Sequence, residues 1–221
     1  QELSSSRMGS VHYIYGMPVY VGKLSGDSQE RILEDVTTFL QKNQLKVGSE
    51  DDWNCLTSSK HALEEKGDVT QVLESNVRMD FESTRLRHEL EAHVEHYMKT
   101  LGVTEPVSLT LDKDLWVNVY NTGHFQDPHV HVEPGVPCVF SFSYFAKFDR
   151  ATDAPFVFMN PLPPTPCPIL ERSNIAFSRE FAPILSQGDV LIFPSHFPHR
   201  VGVQSQDTAR TTVAGNFYRS V

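Results

Sequence analysis

Proline is almost confined to one half of the chain. Thirteen of the 14 prolines lie at or after Pro106, and only Pro18 precedes it. Proline lacks an amide hydrogen and clashes with the preceding helical turn, so helices must concentrate where it is scarce. Phenylalanine divides the same way: 12 of 14 follow residue 105, with only Phe39 and Phe81 before. Phe-rich runs broken by Pro and Gly favour strands and turns. The 221 residues therefore read as one domain in two parts, a largely helical support region over 11–105 and a β-rich core over 106–221. Residues 1–10, QELSSSRMGS, contain no apolar run and do not read as a signal peptide; they are set aside as a tag or linker.

Within the first part, Met17–Val21 reads as a short strand. Asp27 or Ser28 is placed to cap a helix running to about Gln41, with Ile32, Leu33, Val36, Phe39 and Leu40 on its apolar side. Residues 46–70 are polar and read as loop. A second helix is predicted over Phe81–Leu101, with Leu86, Leu90, Val94, Tyr97 and Leu101 on one stripe and Gly102 ending it. In the second part, Leu115–Asn121, Cys138–Phe148, Pro155–Met159, Val190–Phe193, Arg200–Gln204 and Thr211–Tyr218 read as strands. The run PLPPTPCP at 161–168 reads as a stiff loop. The class is α+β, with a sandwich or jelly roll carrying the N-terminal helices on one face.

Charge narrows the partners. Lys and Arg against Asp and Glu give 19 − 28 = −9. Binding a phosphate backbone needs clustered cations, so nucleic acid is not expected, nor is an anionic membrane surface. No stretch approaches the ~18 apolar residues of a membrane span. Cys55, Cys138 and Cys167 are few, far apart and without a CxxC, which fits a reducing compartment; a soluble, cytoplasmic protein is expected.

The predicted second helix carries RHELEAHVEH, one residue off HExxH. His88 and His93 are five apart, about 140° around a helix, and cannot chelate one ion as an i, i+4 pair does. His93 and His96 can share a face, but a solvated surface interleaved with Glu89, Glu91 and Glu95 is the expectation. His12 and His61 have no partners in sequence.

The chemistry gathers in two segments of the second part. In WVNVYNTGHFQDPHVHVE, His129 and His131 are separated by one residue, which on a strand puts both on one face within reach of one metal ion. In GDVLIFPSHFPHRVGV, His199 stands just before a strand and supplies a third ligand, with His196 as its competitor. His199 is followed by ten residues and then Arg210, and Arg210 and Thr212 alternate onto one strand face. An Arg fork with a hydroxyl is a carboxylate site. A diacid that chelates the metal at one end and pairs with Arg210 at the other has the geometry of 2-oxoglutarate.

His129-x-His131, distal His199 and Arg210-x-Thr212, in that order, resemble the double-stranded β-helix oxygenases dependent on Fe(II) and 2-oxoglutarate. W-x-N-x-Y-x-x-G before PHxH, the SFSYF strand, GDVLIFPSxxPHRV and a last Arg strand ending in Asn are similar to an uncharacterised group of these oxygenases from bacteria and phages. LTSSKHALEEKGDV followed by a helix is similar to that group's N-terminal region, so the resemblance spans most of residues 15–218. It implies Fe(II) held by His129, His131 and His199. It also implies 2-oxoglutarate held by Arg210 and Thr212, with Tyr120 or Asn118 donating a hydrogen bond, and a substrate pocket near Trp116, Tyr144 and Asn216. O2 and a small-molecule or peptide substrate complete the implied reaction, oxidative loss of CO2 coupled to hydroxylation of a C–H bond.

The sequence departs from that pattern at two points. Most such enzymes have a carboxylate where His131 stands, and Asp127 and Glu133 are near enough to replace it. Phe142 stands in SFSYF where the group usually has Gly. Cupins share the barrel, and Gly123 with His129-x-His131, then Gly188, Pro194 and His199, fit much of their two motifs. The cupin alternative is a three-His dioxygenase that needs no 2-oxoglutarate, and a further alternative is a non-catalytic metal- or ligand-binding barrel. Arg210 favours the 2-oxoglutarate reading.

Overall fold

The computed structural model describes residues 7–43, 45–48, 54–58, 85–105, 107–112, 115–132, 135, 137–162, 169 and 178–220. It opens on a hairpin, β1 (Arg7–Ile14) and β2 (Met17–Lys23), in which Ile14 pairs with Met17. The two turn residues, Tyr15 and Gly16, have φ of 51° and 78°, the double positive φ that matches the twist of paired strands. The sequence reading set residues 1–10 aside, and that boundary falls inside β1. The composition misled because Gly9 is there for close packing: a Cβ on it would lie 2.2 Å from the Val21 carbonyl oxygen.

Helix α1 (Gly26–Lys42) is capped by Ser25, one turn edge earlier than the expected Asp27 or Ser28; its side chain accepts the Ser28 amide at 3.4 Å. Ile32, Val36 and Phe39 form its buried stripe. Two short strands follow, β3 (Lys46–Val47) and β4 (Leu56–Thr57), inside the stretch read as loop. Two-residue strands carry no periodicity for a sequence to show. Helix α2 (Arg85–Thr100) buries Leu86, Leu90, His93, Val94 and Tyr97, and Gly102, at φ 80°, ends it. The first four residues of the predicted helix, and His61, lie outside the described residues.

The second part supplies β5 (Leu109–Leu111), β6 (Trp116–Tyr120), β7 (Gln126–His129), β8 (Cys138–Lys147), β9 (Phe156–Met159), β10 (Glu180–Phe181), β11 (Asp189–Pro194), β12 (His199–Val201) and β13 (Arg210–Arg219). All six predicted strands have counterparts here; β5, β7 and β10 were not anticipated. The strand expected over Arg200–Gln204 is β12, shifted because Gln204 turns into a loop described below. Of the Pro-rich run, 163–168 lies outside the described residues.

Two antiparallel sheets result. The larger runs β1-β2-β11-β8-β13-β6-β4-β3, with β5 also on β13, and the smaller runs β10-β9-β12-β7. Among the described residues of 11–105 helix outweighs strand, and β1 to β4 extend the large sheet at both ends. Successive residues of that sheet part into two apolar clusters. Tyr20, Val117, Phe142, Tyr144, Ile192 and Val213 join the buried stripes of α1 and α2. Val19, Tyr120, Phe145, Leu191 and Phe193 join Phe156, Phe158 and Val201 of the small sheet. With both faces covered, β6 and β11 are buried throughout and read as continuous apolar runs rather than alternation.

His93 is 1% exposed, not on a solvated face. Its Nδ1 lies 2.6 Å from the Tyr20 hydroxyl, which accepts the Gly9 amide at 2.8 Å. The hydroxyl therefore donates to a neutral imidazole, joining α2 to the β1–β2 hairpin. Burial lowers the His93 pKa, with the His96 charge adding to it and Glu89 opposing. The unfolded chain then takes up a proton below about pH 6.5 that the folded chain resists, so this contribution is complete above that pH and lost as the pH falls. Tyr20→Phe leaves two buried groups unpaired and is expected to cost about 1–3 kcal/mol in urea unfolding of chelator-treated protein. In His93→Gln the loss of stability between pH 7.5 and 5.5 is expected to be smaller than in the wild type.

Candidate metal and anion site

The register of β13 against β6 organises one wall. Arg210 pairs with Tyr120, Thr212 with Asn118 and Ala214 with Trp116. Directly opposed residues share a face, so all six side chains point between the sheets. The opposite wall comes from the small sheet, where His199 pairs with His129 across β12 and β7. Between them lies a cavity. Gln126, Phe142, Ser143, Phe156, Phe193, Val201 and His131 complete its lining, and no described carboxylate does.

His129, His131 and His199 converge, their ligand atoms all within 4.8 Å of one another. The Nε2 atoms of His131 and His199 are 3.2 Å apart. Nitrogens bound to one ion at about 2.0–2.1 Å lie roughly 3.0–3.4 Å apart at the angles of common geometries. His129 Nδ1 faces the Asp127 carbonyl at 2.7 Å, and His199 Nδ1 faces that of Phe197 at 2.9 Å. A carbonyl only accepts, so each Nδ1 carries the proton and each Nε2 keeps its lone pair for an ion. β7 ends at His129; His131 lies just past it, its amide bound to the Ser195 carbonyl at 2.8 Å.

Aromatic packing fixes the rings. His199 stacks on Phe156 at 5.1 Å and meets Phe193 edge-on at 4.7 Å, while His131 stacks on Trp116 at 5.8 Å. Burial pushes the pKa of His129 down; it pushes that of His199 well down, with the charges of His129 and His131 adding to the effect. Both are therefore neutral near pH 7, the form that binds metal.

Arg210 is 0% exposed, and its Nε and both terminal nitrogens have no hydrogen-bond partner among the described residues. The guanidinium lies 4.4 Å over the Tyr120 ring. The Tyr120 hydroxyl is close enough to favour its charge, without hydrogen-bond geometry. Burial lowers the Arg210 pKa, and Tyr120, Asp153 and Cys55 oppose that. Burying an unpaired guanidinium is costly, so the cavity calls for an anion with planar acceptors. Asn118 Oδ1 accepts the Thr57 hydroxyl at 2.7 Å, which leaves its amide hydrogens as donors.

The structure thus brings His129, His131, His199, Arg210, Thr212, Tyr120, Asn118 and Trp116 to one cavity. Tyr144 is not there. It alternates onto the helix side of β8, where burial raises its pKa and Glu89 and Asp189 add to the effect. Asn216 faces the cavity side but lies beyond its lining, holding Ser141 at 2.8 Å and Tyr218 at 3.2 Å. Asp127 and His196 are exposed and outside the cluster, and Glu133 lies outside the described residues. Gln126 was missed: it is 5% exposed, and its amide nitrogen lies 3.9 Å from the Cys55 sulfur. The one signal was a polar residue three positions before His129 in a four-residue strand, too little to find it.

No family model matches the chain, and no curated protein matches its sequence. Solved structures do match its fold. A prolyl-4-hydroxylase from Pseudomonas putida superposes with a TM-score of 0.56 at 12% identity, covering 97% of this chain and 94% of that one. The non-heme α-ketoglutarate-dependent epimerase SnoN of nogalamycin biosynthesis superposes at 0.58 with 13% identity, over 90% of this chain and 76% of its own; it is also known in complex with Fe3+, α-ketoglutarate and nogalamycin RO. A Trichoplax adhaerens prolyl hydroxylase bound to a hypoxia-inducible-factor peptide superposes at 0.52 with 10% identity, over 96% and 84%. The chain therefore shares the antiparallel, sheet-rich fold of these structures. No helix among the described residues is long and apolar enough to cross a membrane.

His129→Ala and His199→Ala are expected to abolish binding of Fe(II), or of Ni(II) in its place. His131→Ala is expected to weaken it by more than about 100-fold, beyond the upper end for loss of an outer-sphere partner. Glu133→Gln is expected to stay within a few-fold. Calorimetric titration checks all four.

Proposed function

We propose that this protein is an Fe(II)- and 2-oxoglutarate-dependent oxygenase. One observation carries the reading: three imidazoles with converging ring nitrogens share a cavity with a buried guanidinium that has no hydrogen-bond partner among the described residues. His129, His131 and His199 would hold the iron. Arg210 and Thr212 would take the far carboxylate of 2-oxoglutarate, and Tyr120 and the Asn118 amide would steady it. When bound, iron supplies the O2-dependent oxidation that couples loss of CO2 to attack on a substrate C–H bond. The chain's own part is to orient the diacid between cation and metal, and to exclude water with Phe156, Phe193 and Trp116. Trp116, stacked on His131 at the cavity wall, would meet the substrate. The substrate is a small molecule or a peptide, the two kinds seen with SnoN and the Trichoplax enzyme. The helices α1 and α2 act as a support layer behind the large sheet.

Charge separates this reading from its rival. Three neutral imidazoles leave a divalent ion at +2, and Arg210 adds one, with no described carboxylate lining the cavity. A dianionic diacid cancels most of that. Metal and 2-oxoglutarate are therefore expected to tighten each other's binding by the same factor, as linkage requires. A three-His dioxygenase without co-substrate would show no such coupling.

Arg210→Ala is expected to cost on the order of 2–5 kcal/mol of 2-oxoglutarate binding, about 30-fold or more in affinity. Arg210→Lys keeps the charge but loses the fork, and is expected to recover only part. Metal binding should survive both. Titration of Ni(II)-loaded protein with 2-oxoglutarate decides: if Arg210→Ala binds it as the wild type does, the cupin-like reading moves ahead.

A further inference from the structure

Behind Arg210, on the side away from the metal ligands, lies a second buried polar cluster. Gln204 is 0% exposed and Asp153 8%. The Gln204 amide nitrogen lies 2.9 Å from Asp153 Oδ1 and 2.8 Å from the Thr208 hydroxyl, and Thr208 in turn donates to the same Asp153 oxygen. The other Asp153 oxygen accepts the Asp149 amide at 2.7 Å. Gln204 Oε1 accepts the Ala154 amide at 2.7 Å. The Gln204 main chain reaches the turn that leads into β7, donating to the His124 carbonyl and accepting from the Gly123 amide, both at 2.8 Å. So the loop from Gln204 to Arg210 is tied at both ends to turns that flank the cavity strands.

Two features mark what this cluster is for. Ala209, directly before Arg210, is held at φ 51°, a left-handed conformation that a non-glycine residue adopts only where its surroundings impose it. The Thr211 hydroxyl donates to the Ala209 carbonyl at 2.8 Å, closing the turn from the other side. Then there is the charge. Asp153 favours the Arg210 cation across the loop, yet it forms no ion pair with it, because its oxygens are taken by Gln204, Thr208 and Asp149. A carboxylate in direct contact would occupy the fork; one held back leaves the fork open.

We propose that Asp153, Gln204 and Thr208 are positioning residues for the anion site: they impose the turn at Ala209 that delivers Arg210 into the cavity, and they keep the nearest buried carboxylate off its guanidinium. This rests on the oxygenase reading for the identity of the anion. A cluster that served only the fold would affect metal and anion binding together, since both walls of the cavity meet the same turns. A positioning cluster affects the anion alone.

The test uses full-length protein loaded with Ni(II) and titrated with 2-oxoglutarate by calorimetry, beside a Ni(II) titration of each variant. The variants are Asp153→Asn, Thr208→Val and Thr208→Ser. Asp153→Asn and Thr208→Val are expected to weaken 2-oxoglutarate about tenfold, the scale of one misplaced charged hydrogen bond. Their Ni(II) affinity should stay within a few-fold, and Thr208→Ser, which restores the hydroxyl, should recover most of the loss. The proposal is overturned if both variants bind 2-oxoglutarate as the wild type does. It is equally overturned if metal and 2-oxoglutarate affinity fall together, or if Thr208→Ser is no better than Thr208→Val. Should the wild type itself fail to bind 2-oxoglutarate, the oxygenase reading falls first.

Discussion

Strand β13 is hydrogen-bonded on both sides, to β8 along one edge and to β6 and β5 along the other. Its register is therefore set twice, and a slip of one residue would turn Arg210, Thr212 and Ala214 away from the cavity and bring Thr211 and Val213 into it. Val213 is 0% exposed in the helix-side cluster, so such a slip would also pull an apolar side chain out of that core. The same hydrophobic alternation that seals the sheet against α1 and α2 thus aims the guanidinium. Position at the site is a by-product of packing on the opposite face.

The cavity so formed is electrostatically one-sided. Its only described formal charge is a buried cation, and burial holds His129 and His199 neutral. A buried guanidinium without a hydrogen-bond partner among the described residues, its neighbouring carboxylate turned to other donors, favours a ligand of opposite sign. The apolar walls strengthen that attraction, because Phe145, Phe156 and Phe193 keep the local dielectric low. Two of the histidines follow the same logic: the Nδ1 protons of His129 and His199 go to backbone carbonyls, so the main chain rather than further charges helps to orient them.

Much of this was legible along the chain, for identifiable reasons. The strands of the large sheet that wall the site are rich in aromatic and β-branched residues, so β6, β8, β11 and β13 could be read from composition and pattern. The spacing of His129, His131 and His199, and the alternation of Arg210 with Thr212, needed only a period of two. What failed to show was short or compensated. β3, β4 and β10 are two residues each. β1 hides among small polar residues whose glycine is required by a neighbouring carbonyl. His93 looked like a surface residue because its helix is rich in Glu; only the Tyr20 hydroxyl on another element makes its burial tolerable.

The sequence by itself determined the division into a proline-poor and a proline-rich part, the order of the main strands and the identity of the three imidazoles and the guanidinium, since each of these depends on local backbone chemistry and short spacing. Only the tertiary structure decided which of them share a space. Tyr144 and Phe145 are adjacent in sequence but lie on opposite faces of β8, and Asp153 stands far along the chain from Arg210 yet acts on it. Such relations are set by strand pairing and loop ties between distant segments, and no local pattern encodes them.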